Sequence, residues 1–477
     1  MSKFGFVGPS YTAGSNAVAD EECINFFAET LETAGAQTQR SYFGTPGLKV
    51  FTAFPDGPER GSFNTGTTLY AVAADQLYSV ASDGTQTVIG TIENDGLAVS
   101  IAVSNIQLFI VGGGKAYCYT FSTGVLVEVT SLLAGTPIQA DYSDGYFIVI
   151  FQNSNKFQMS AILDGTTWPG IQVNAVSVFP ENIVSIIVSH RELWVFGSQH
   201  AQPYQDTGSL EVFDVIPGAL IDTGSAATFG PALVDNTVFW ISEDQRGGRQ
   251  AWRANGYTPS RISTHAVETA LSSYPDISGL VSYAHQYDGH LFWMLYIPGT
   301  DCSWVYDVAE KLWHKRAEWN SVSGTYGPHR SWNHVYAFGK HLVGDWGSGN
   351  LYEMSLNYWD ENGAAIRRLR RSPTLGNEME WVYQSELTVD FATGVGPQPP
   401  LVDGEGNPRP PQAMLRWSDN RGSTWSNEHI ASLGFAGEYN TRVIWRRLGR
   451  SRYRVYELSV SDPVPIAIVD AYLKASA

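Results

Sequence analysis

Charge is scarce along these 477 residues: 16% are Asp, Glu, Lys or Arg, and 47 acidic against 30 basic side chains leave a formal charge of −17. So few charges argue against long solvated helices and disorder, and so few basic ones against wrapping of nucleic acid, which needs clustered Lys and Arg. Cysteine is scarcer still. Cys23, Cys118 and Cys302 lie far apart without metal-ligand spacing, so they read as buried small hydrophobes and imply no disulfide framework. Long apolar runs are missing as well: a run such as Tyr146–Phe151 is far too short to span a bilayer. The opening Met1-Ser2-Lys3-Phe4-Gly5 has no basic stretch leading into an apolar one, so folding in a cytoplasm is expected rather than export.

Aromatic residues fill the space that charge leaves. They make up 13% of the chain and include 15 Trp, a composition that suits sheets packed on large flat side chains. Between about Gly61 and Leu356 one pattern recurs, in which a turn bearing Gly, Asp or Asn leads into a short strand with a bulky pair at its centre. Leu69-Tyr70-Ala71-Val72 is the first copy. Leu108 to Val111, Phe147 to Ile150, Leu193 to Phe196, Val238 to Ile241 and Leu291 to Met294 follow, with a weaker copy at Leu342-Val343-Gly344-Asp345. A spacing of roughly 40 to 50 residues is that of four-stranded propeller blades. The fold class expected is therefore all-β, a β-propeller of about seven blades over residues 56–360. Ser82-Asp83-Gly84, Gly112-Gly113-Gly114, Ser143-Asp144-Gly145, Gly247-Gly248 and Tyr287-Asp288-Gly289 supply hairpin turns that tolerate positive φ.

Residues 1–55 precede the repeats and do not read as a compact domain. They are expected to form an extended arm, with Cys23 to Glu29 as a short anchor. The last blade offers only about three good strands, so the alternating run Leu48 to Phe54 is expected to complete it and close the ring. Residues 361–477 read as a small antiparallel β-sandwich, with strands at Glu386 to Phe391, Ala413 to Trp417, Arg442 to Trp445, Tyr453 to Val460 and a last apolar run from Ile466 to Leu473. The Gly/Pro-rich stretch from Gly394 to Pro411 is a long exposed loop.

No catalytic motif stands out. Gly112-Gly113-Gly114-Lys115 lacks phosphate-loop spacing and reads as a hairpin turn. His285 with His290, and His329 with His334 and His341, lack a third ligand at a telling spacing, so neither metal nor cofactor is expected. The acids Asp206, Asp214 and Asp222 could serve a glycosidase in principle, but acids in propeller loops are usually turn formers. Ser418 to Trp425 is similar to the Asp-box of sialidases, with Asn420 in place of Asp. In that family the box is a hairpin device away from the active centre.

Two basic clusters contrast with the acidic chain: Arg367, Arg368, Arg370 and Arg371, and then Arg446, Arg447, Arg450, Arg452 and Arg454. They are expected to form either a solvated face of the sandwich or an electrostatic seam, in which the basic sandwich of one copy meets the acidic propeller of its neighbour or an acidic partner ring, contacts to which the planar arginine fork is suited.

Gly8-Pro9-Ser10-Tyr11, Cys23-Ile24-Asn25-Phe26-Phe27-Ala28-Glu29, Phe43-Gly44-Thr45-Pro46-Gly47-Leu48 and Val443-Ile444-Trp445-Arg446-Arg447-Leu448-Gly449-Arg450, in that order around the repeats, resemble the tail hub proteins of short-tailed bacteriophages. These are also called packaged-DNA-stabilisation proteins or tail accessory factors. The resemblance implies a structural virion protein of the tail, made in the host bacterial cytoplasm and without catalytic residues. It implies a hexameric ring of copies of itself below the portal and adaptor, helping to retain DNA and form the ejection channel, with contacts to a tail needle, spike or fibre. Genomic DNA would pass without sequence-specific contact, and no membrane insertion is implied. The competing expectation is a propeller that binds or degrades a host glycan.

Overall fold

The computed structural model describes residues 2–33, 39–209 and 212–476. Seven four-stranded antiparallel sheets follow one another along the chain, over residues 59–91, 100–128, 137–175, 185–215, 232–261 and 281–320, with the seventh built from 331–355 together with the strand Gly47–Ala53. We number these blades 1 to 7. In each, the second strand carries the bulky pair seen in the sequence, and it is the most deeply buried: Leu69, Leu108, Phe147, Leu193, Phe239, Trp293 and Leu342 are all fully enclosed. A central strand buried on both faces needs apolar side chains pointing both ways, which is why these segments read as continuous apolar runs.

Apolar clusters shared by neighbouring blades hold the ring. Tyr70 and Val72 of blade 1 pack with Leu108 and Ile110 of blade 2, and Trp194 and Phe196 of blade 4 with Val238 and Trp240 of blade 5. The circle closes where Leu69 and Tyr78 of blade 1 meet Val335 and Leu342 of blade 7. Gly47–Ala53 lies antiparallel to Asn350–Ser355 as the fourth strand of blade 7, pairing Tyr352 with Val50. The weak seventh copy has a physical cause at Gly344. A Cβ there would lie 1.8 Å from Oε2 of Glu59, whose carboxylate accepts from Asn333 Nδ2 (2.7 Å) and Trp332 Nε1 (3.2 Å) and so fastens blade 1 to blade 7 on the inner side. The Gly113-Gly114 pair, both at positive φ, makes the tight turn between strands Gln107–Gly112 and Lys115–Thr120.

The C-terminal unit is a two-sheet sandwich over one apolar core that includes Tyr42, Leu387, Tyr456 and Leu458. The strands read from the sequence are present as Val382–Phe391, Gln412–Ser418, Val443–Arg446, Tyr453–Val460 and Ala467–Ser476. The N-terminal segment differs from the separate arm expected of it. Ser2–Lys3 and Arg40–Gly44 both pair with Ala467–Ser476, and Phe26–Thr30 extends the same sheet through Arg40–Gly44. Asp20–Ile24 joins the other sheet beside Arg368–Arg371 and also meets blade 6, Ile24 pairing with Lys315. One sheet therefore runs from blade 6 into the sandwich. The reason is burial: Phe6, Cys23, Phe26 and Tyr42 are too apolar to be left in water, and the sandwich without them would expose its core.

Asn25 fastens that junction. It adopts a left-handed conformation (φ 57°), and its side chain donates to the carbonyls of Ala317 (2.9 Å) and Arg367 (3.0 Å) while accepting from the Ala317 amide (2.9 Å). The one helix among the described residues, His265–Ser273, links blades 5 and 6, capped by Thr264 at its start and by Arg249, which donates to the carbonyls of Leu271 and Tyr274, at its end.

Candidate assembly surface

The first arginine cluster lies inside the molecule. Strand Arg368–Arg371 sits between Asp20–Ile24 and Tyr453–Val460, so alternate side chains face opposite ways. Arg368 and Arg370 point into the sandwich, while Leu369 joins the apolar cluster of Ile24 and Trp313 on the other side. Arg370 is completely enclosed. Its guanidinium donates to the carbonyls of Phe6 (2.6 Å), Pro9 (2.9 Å) and Glu22 (3.3 Å) and to Oε2 of Glu21 (3.1 Å), and it lies over the Tyr42 ring. Arg371 is raised above the ordinary arginine value: burial would lower it, but Glu457 and Asp20 outweigh that. Arg371 and Arg416 grip the buried Glu457 from two sides and both cover the Trp425 ring. Burial lowers Arg368 to about 10, with the Glu361 carboxylate opposing, and Glu361 is itself pushed up to about 8 by burial against the pull of Arg330. Arg367 is half-buried over Trp319 and reaches Glu428 at 3.4 Å. Expected as an outward basic face, Arg368 and Arg370 instead lie inside the molecule, and Arg370 fastens the N-terminal segment. Buried charges need partners: those of Arg370 come from parts of the chain some 350 residues away, whereas Arg368 has the nearby Glu361 carboxylate.

The second cluster divides. Arg454 is buried, donating to Asp419 (2.5 Å) and the Leu448 carbonyl (3.0 Å). Arg446, Arg447, Arg450 and Arg452 are exposed along one edge of the sandwich. Arg446 pairs with Glu386 at 2.9 Å, and the other three have no carboxylate partner among the described residues. They surround aromatic side chains that the sequence reading missed. Arg450 and Arg452 lie 4.8 and 5.0 Å from the centre of the Trp381 ring, and Arg450 also donates to the Tyr383 hydroxyl (3.3 Å). Trp381 is 44% exposed, Tyr383 51% and Met379 65%. Alternation alone does not find them: Met379, Trp381 and Tyr383 fall in step with the buried Leu387 and Val389, and it is the register shift between Gln384 and Glu386 in the strand Val382–Phe391 that leaves Gln384 inward and Tyr383 outward. Ahead of the strand, Glu378 and Met379 form a turn at φ of 46° and 70°.

The remaining candidates have structural places. The central funnel is a cavity of about 200 Å³ lined by Arg60, Ser62, Ile101, Gln139, Val281 and Trp332 among others. His285, His334 and His341 come together beside Tyr283 and Arg316. Among the described residues no group of His, Cys, Asp and Glu is arranged to hold a metal ion. Asn420 does the work of a turn acid, accepting from the Thr424 amide (2.8 Å). Asp206 pairs with Phe213 and Asp214 with Gln205 on the two outer strands of blade 4, so their carboxylates point to opposite faces, and the exposed Asp222 follows Ile221, which is bridged to Ala201 at the other end of the strand. Charge is split between the two units: residues 1–360 hold 34 acidic and 16 basic side chains, and residues 361–477 hold 13 and 14.

Comparison with solved structures finds propeller domains at low identity. A WD40 domain of Pan2 from Neurospora crassa is 9% identical, with 64% of this chain and 94% of that one covered and a TM-score of 0.43. The protein YCF48 from Cyanidioschyzon merolae is 12% identical, with 65% and 99% covered and a TM-score of 0.44. A comparison with curated proteins gives no match. Two family models match: residues 11–358 fit the model described as the β-propeller of bacteriophage P22 Gp10, and residues 367–476 the one described as its β-sandwich. With propeller and sandwich both matched in one chain, this protein belongs to the bacteriophage P22 Gp10 family, the tail hub or DNA-stabilisation proteins of short-tailed phages, and is a structural protein of a phage tail.

Proposed function

We propose that copies of this chain form a ring below the portal and adaptor of a short-tailed phage, retain the packaged genome, and provide part of the path by which it leaves. The observation that carries the reading is the match of both Gp10 domains over nearly the whole chain, 11–358 and 367–476. Two physical features support it. The inner strands leave a cavity of only about 200 Å³ at the propeller centre, which supports a DNA path between copies rather than through a propeller. The acidic propeller repels phosphate, which lets a duplex slide along it without adhering. The ring is hexameric, is made from chains synthesised in the host cytoplasm, and on its far side meets a tail needle, spike or fibre.

The test is the mass of the purified protein in solution, alone and mixed with the adaptor–portal complex of the same phage. A chain that is monomeric alone and joins that complex as a ring supports the hub. One that stays monomeric beside the complex, yet binds or degrades a host polysaccharide, overturns it.

A further inference from the structure

One buried arginine lacks what the others have. Arg60, Arg249, Arg370 and Arg454 each lie within 3.3 Å of a carboxylate oxygen, on Asp95, Glu243, Glu21 and Asp419. Arg316, on the outer strand of blade 6 (Leu312–Asn320), is 1% exposed and bonds to no carboxylate among the described residues. Its Nη1 donates to His285 Nε2 (3.3 Å) and meets the Met354 sulfur of blade 7 (3.9 Å). Its Nε and Nη2 have no partner among the described residues, and these two form the edge with which a guanidinium grips an anion through two parallel bonds. Burial lowers the group only to about 10, with Tyr283 and Asp307 opposing, so it keeps its charge at neutral pH. The Asp307 carboxylate is already engaged, with His290 Nδ1 (2.7 Å) and as acceptor for the amides of Ala309 (3.0 Å) and Glu310 (3.3 Å). His314 stands two residues before Arg316 on the same strand and so on the same face. Both pack on the Phe292 ring, the guanidinium 4.8 Å and the imidazole 5.7 Å from its centre, and His314 Nε2 is also buried without a partner.

We propose that the Nε–Nη2 edge of Arg316 holds a small inorganic anion of chloride size at the seam of blades 6 and 7, with the Nε2–H of His314 as a further donor. A charge enclosed in protein without a counter-ion is strongly unfavourable, and an anion supplies what the chain does not. Chemistry selects an anion over water. The free groups of Arg316 are donors, the lone pair of His285 Nε2 is used by Nη1, and Phe292 and Met354 offer no strong acceptor, so the hydrogens of a water have nowhere to go. Burial selects a small one: Arg316, His285 and His314 are at most 3% exposed, which excludes a nucleic-acid phosphate or the carboxylate of a partner protein. Phe27 of the N-terminal segment packs edge-on against the same Phe292 ring (5.6 Å), so the anion also steadies the place where that segment enters the propeller. None of this rests on the hub reading.

Urea denaturation of the full-length chain tests it, with sodium gluconate exchanged for sodium chloride or bromide at constant ionic strength. An anion bound only by the folded chain raises the ratio of folded to unfolded protein nearly tenfold for each tenfold rise in free halide once the site is filled. Arg316→Met, which keeps the length of the side chain and removes the charge, should abolish that dependence. A wild-type chain indifferent to halide, or an Arg316→Met chain that responds as the wild type does, overturns the proposal. A second measurement needs no variant and so decides the matter even where Arg316→Met fails to fold. Crystals of the wild-type chain grown in sodium bromide should show a strong anomalous peak within hydrogen-bonding distance of Arg316 Nε and Nη2. Density there no stronger than that of a water, or bromide found on the surface alone, shows that no anion is held and the proposal falls.

Discussion

Replacing Arg370 by alanine should detach the first 24 residues from the sandwich. The side chain is fully enclosed and makes four hydrogen bonds, to the carbonyls of Phe6, Pro9 and Glu22 and to the Glu21 carboxylate. Hydrogen bonds to a charged group contribute about 1.5–3 kcal/mol each, but they share one guanidinium and are not additive. Truncation also leaves those acceptors buried without donors, and breaking a buried ion pair by removing one partner costs about 3–5 kcal/mol. A loss of about 4 kcal/mol is expected, or about 10 °C in the melting temperature of a unit of this size. Arg370→Lys keeps the charge but cannot reach four acceptors from one ammonium, so it should recover less than half of the loss. Two assays read this: urea denaturation followed by Trp fluorescence, and limited proteolysis with mass spectrometry, which should show cleavage between Gly8 and Glu22 well before the rest of the chain. A loss below about 1 kcal/mol, with the N-terminal segment still protected, would refute the assignment of Arg370 as the fastening.

Further outcomes follow from other fastenings. Glu59, which has its folded value pushed up to about 7 by burial from an ordinary 4.5, binds a proton more readily folded than unfolded. Stability should therefore fall as pH rises from 4.5 through 7, by about 3 kcal/mol in all, and Glu59→Gln should flatten that slope in melting temperature measured against pH. His334, lowered by burial to about 3, works in the opposite sense: stability is lost as pH falls below 6.5, a loss that His334→Gln should reduce in an acid titration. Asn25→Ala removes three hydrogen bonds and puts a Cβ residue without a polar side chain at φ 57°, so a loss of about 3 kcal/mol is expected in chemical denaturation, with Asn25→Gly slightly milder. Deletion of residues 1–55 removes a strand of blade 7 and strands from both sandwich sheets; the product should aggregate, and a soluble product that melts cooperatively would contradict the pairing.

Periodicity in the sequence identified the seven second strands because each is buried on both faces and must be apolar along its length. It could not identify Arg368–Arg371 as an interior strand. Arg-Leu-Arg-Arg looks like a solvated run unless Glu21, Asp20 and Glu457 are known to be waiting, and nothing local says that segments so distant converge. The N-terminal strands were hidden for a related reason. Asp20–Ile24 and Phe26–Thr30 are five residues each and mix acids with apolar side chains, because one end of each meets arginine while the other enters the core. Of the assembly surface, the four exposed arginines were legible as a charge contrast, whereas Trp381 and Tyr383 read as ordinary strand aromatics until their outward direction was known.

The first strand of the chain and the last lie side by side, Ser2 against Leu473, with the seventh blade also waiting on residues from both ends of the propeller. On the ribosome this order matters. Blades 1 to 6 can stack as they emerge, but the sheet that holds Phe26–Thr30 and Arg40–Gly44 is incomplete until Ala467–Ser476 has left the exit tunnel, so that N-terminal hairpin must wait for its sandwich partner for almost the whole of synthesis. An unfinished or prematurely terminated chain therefore cannot complete the sandwich.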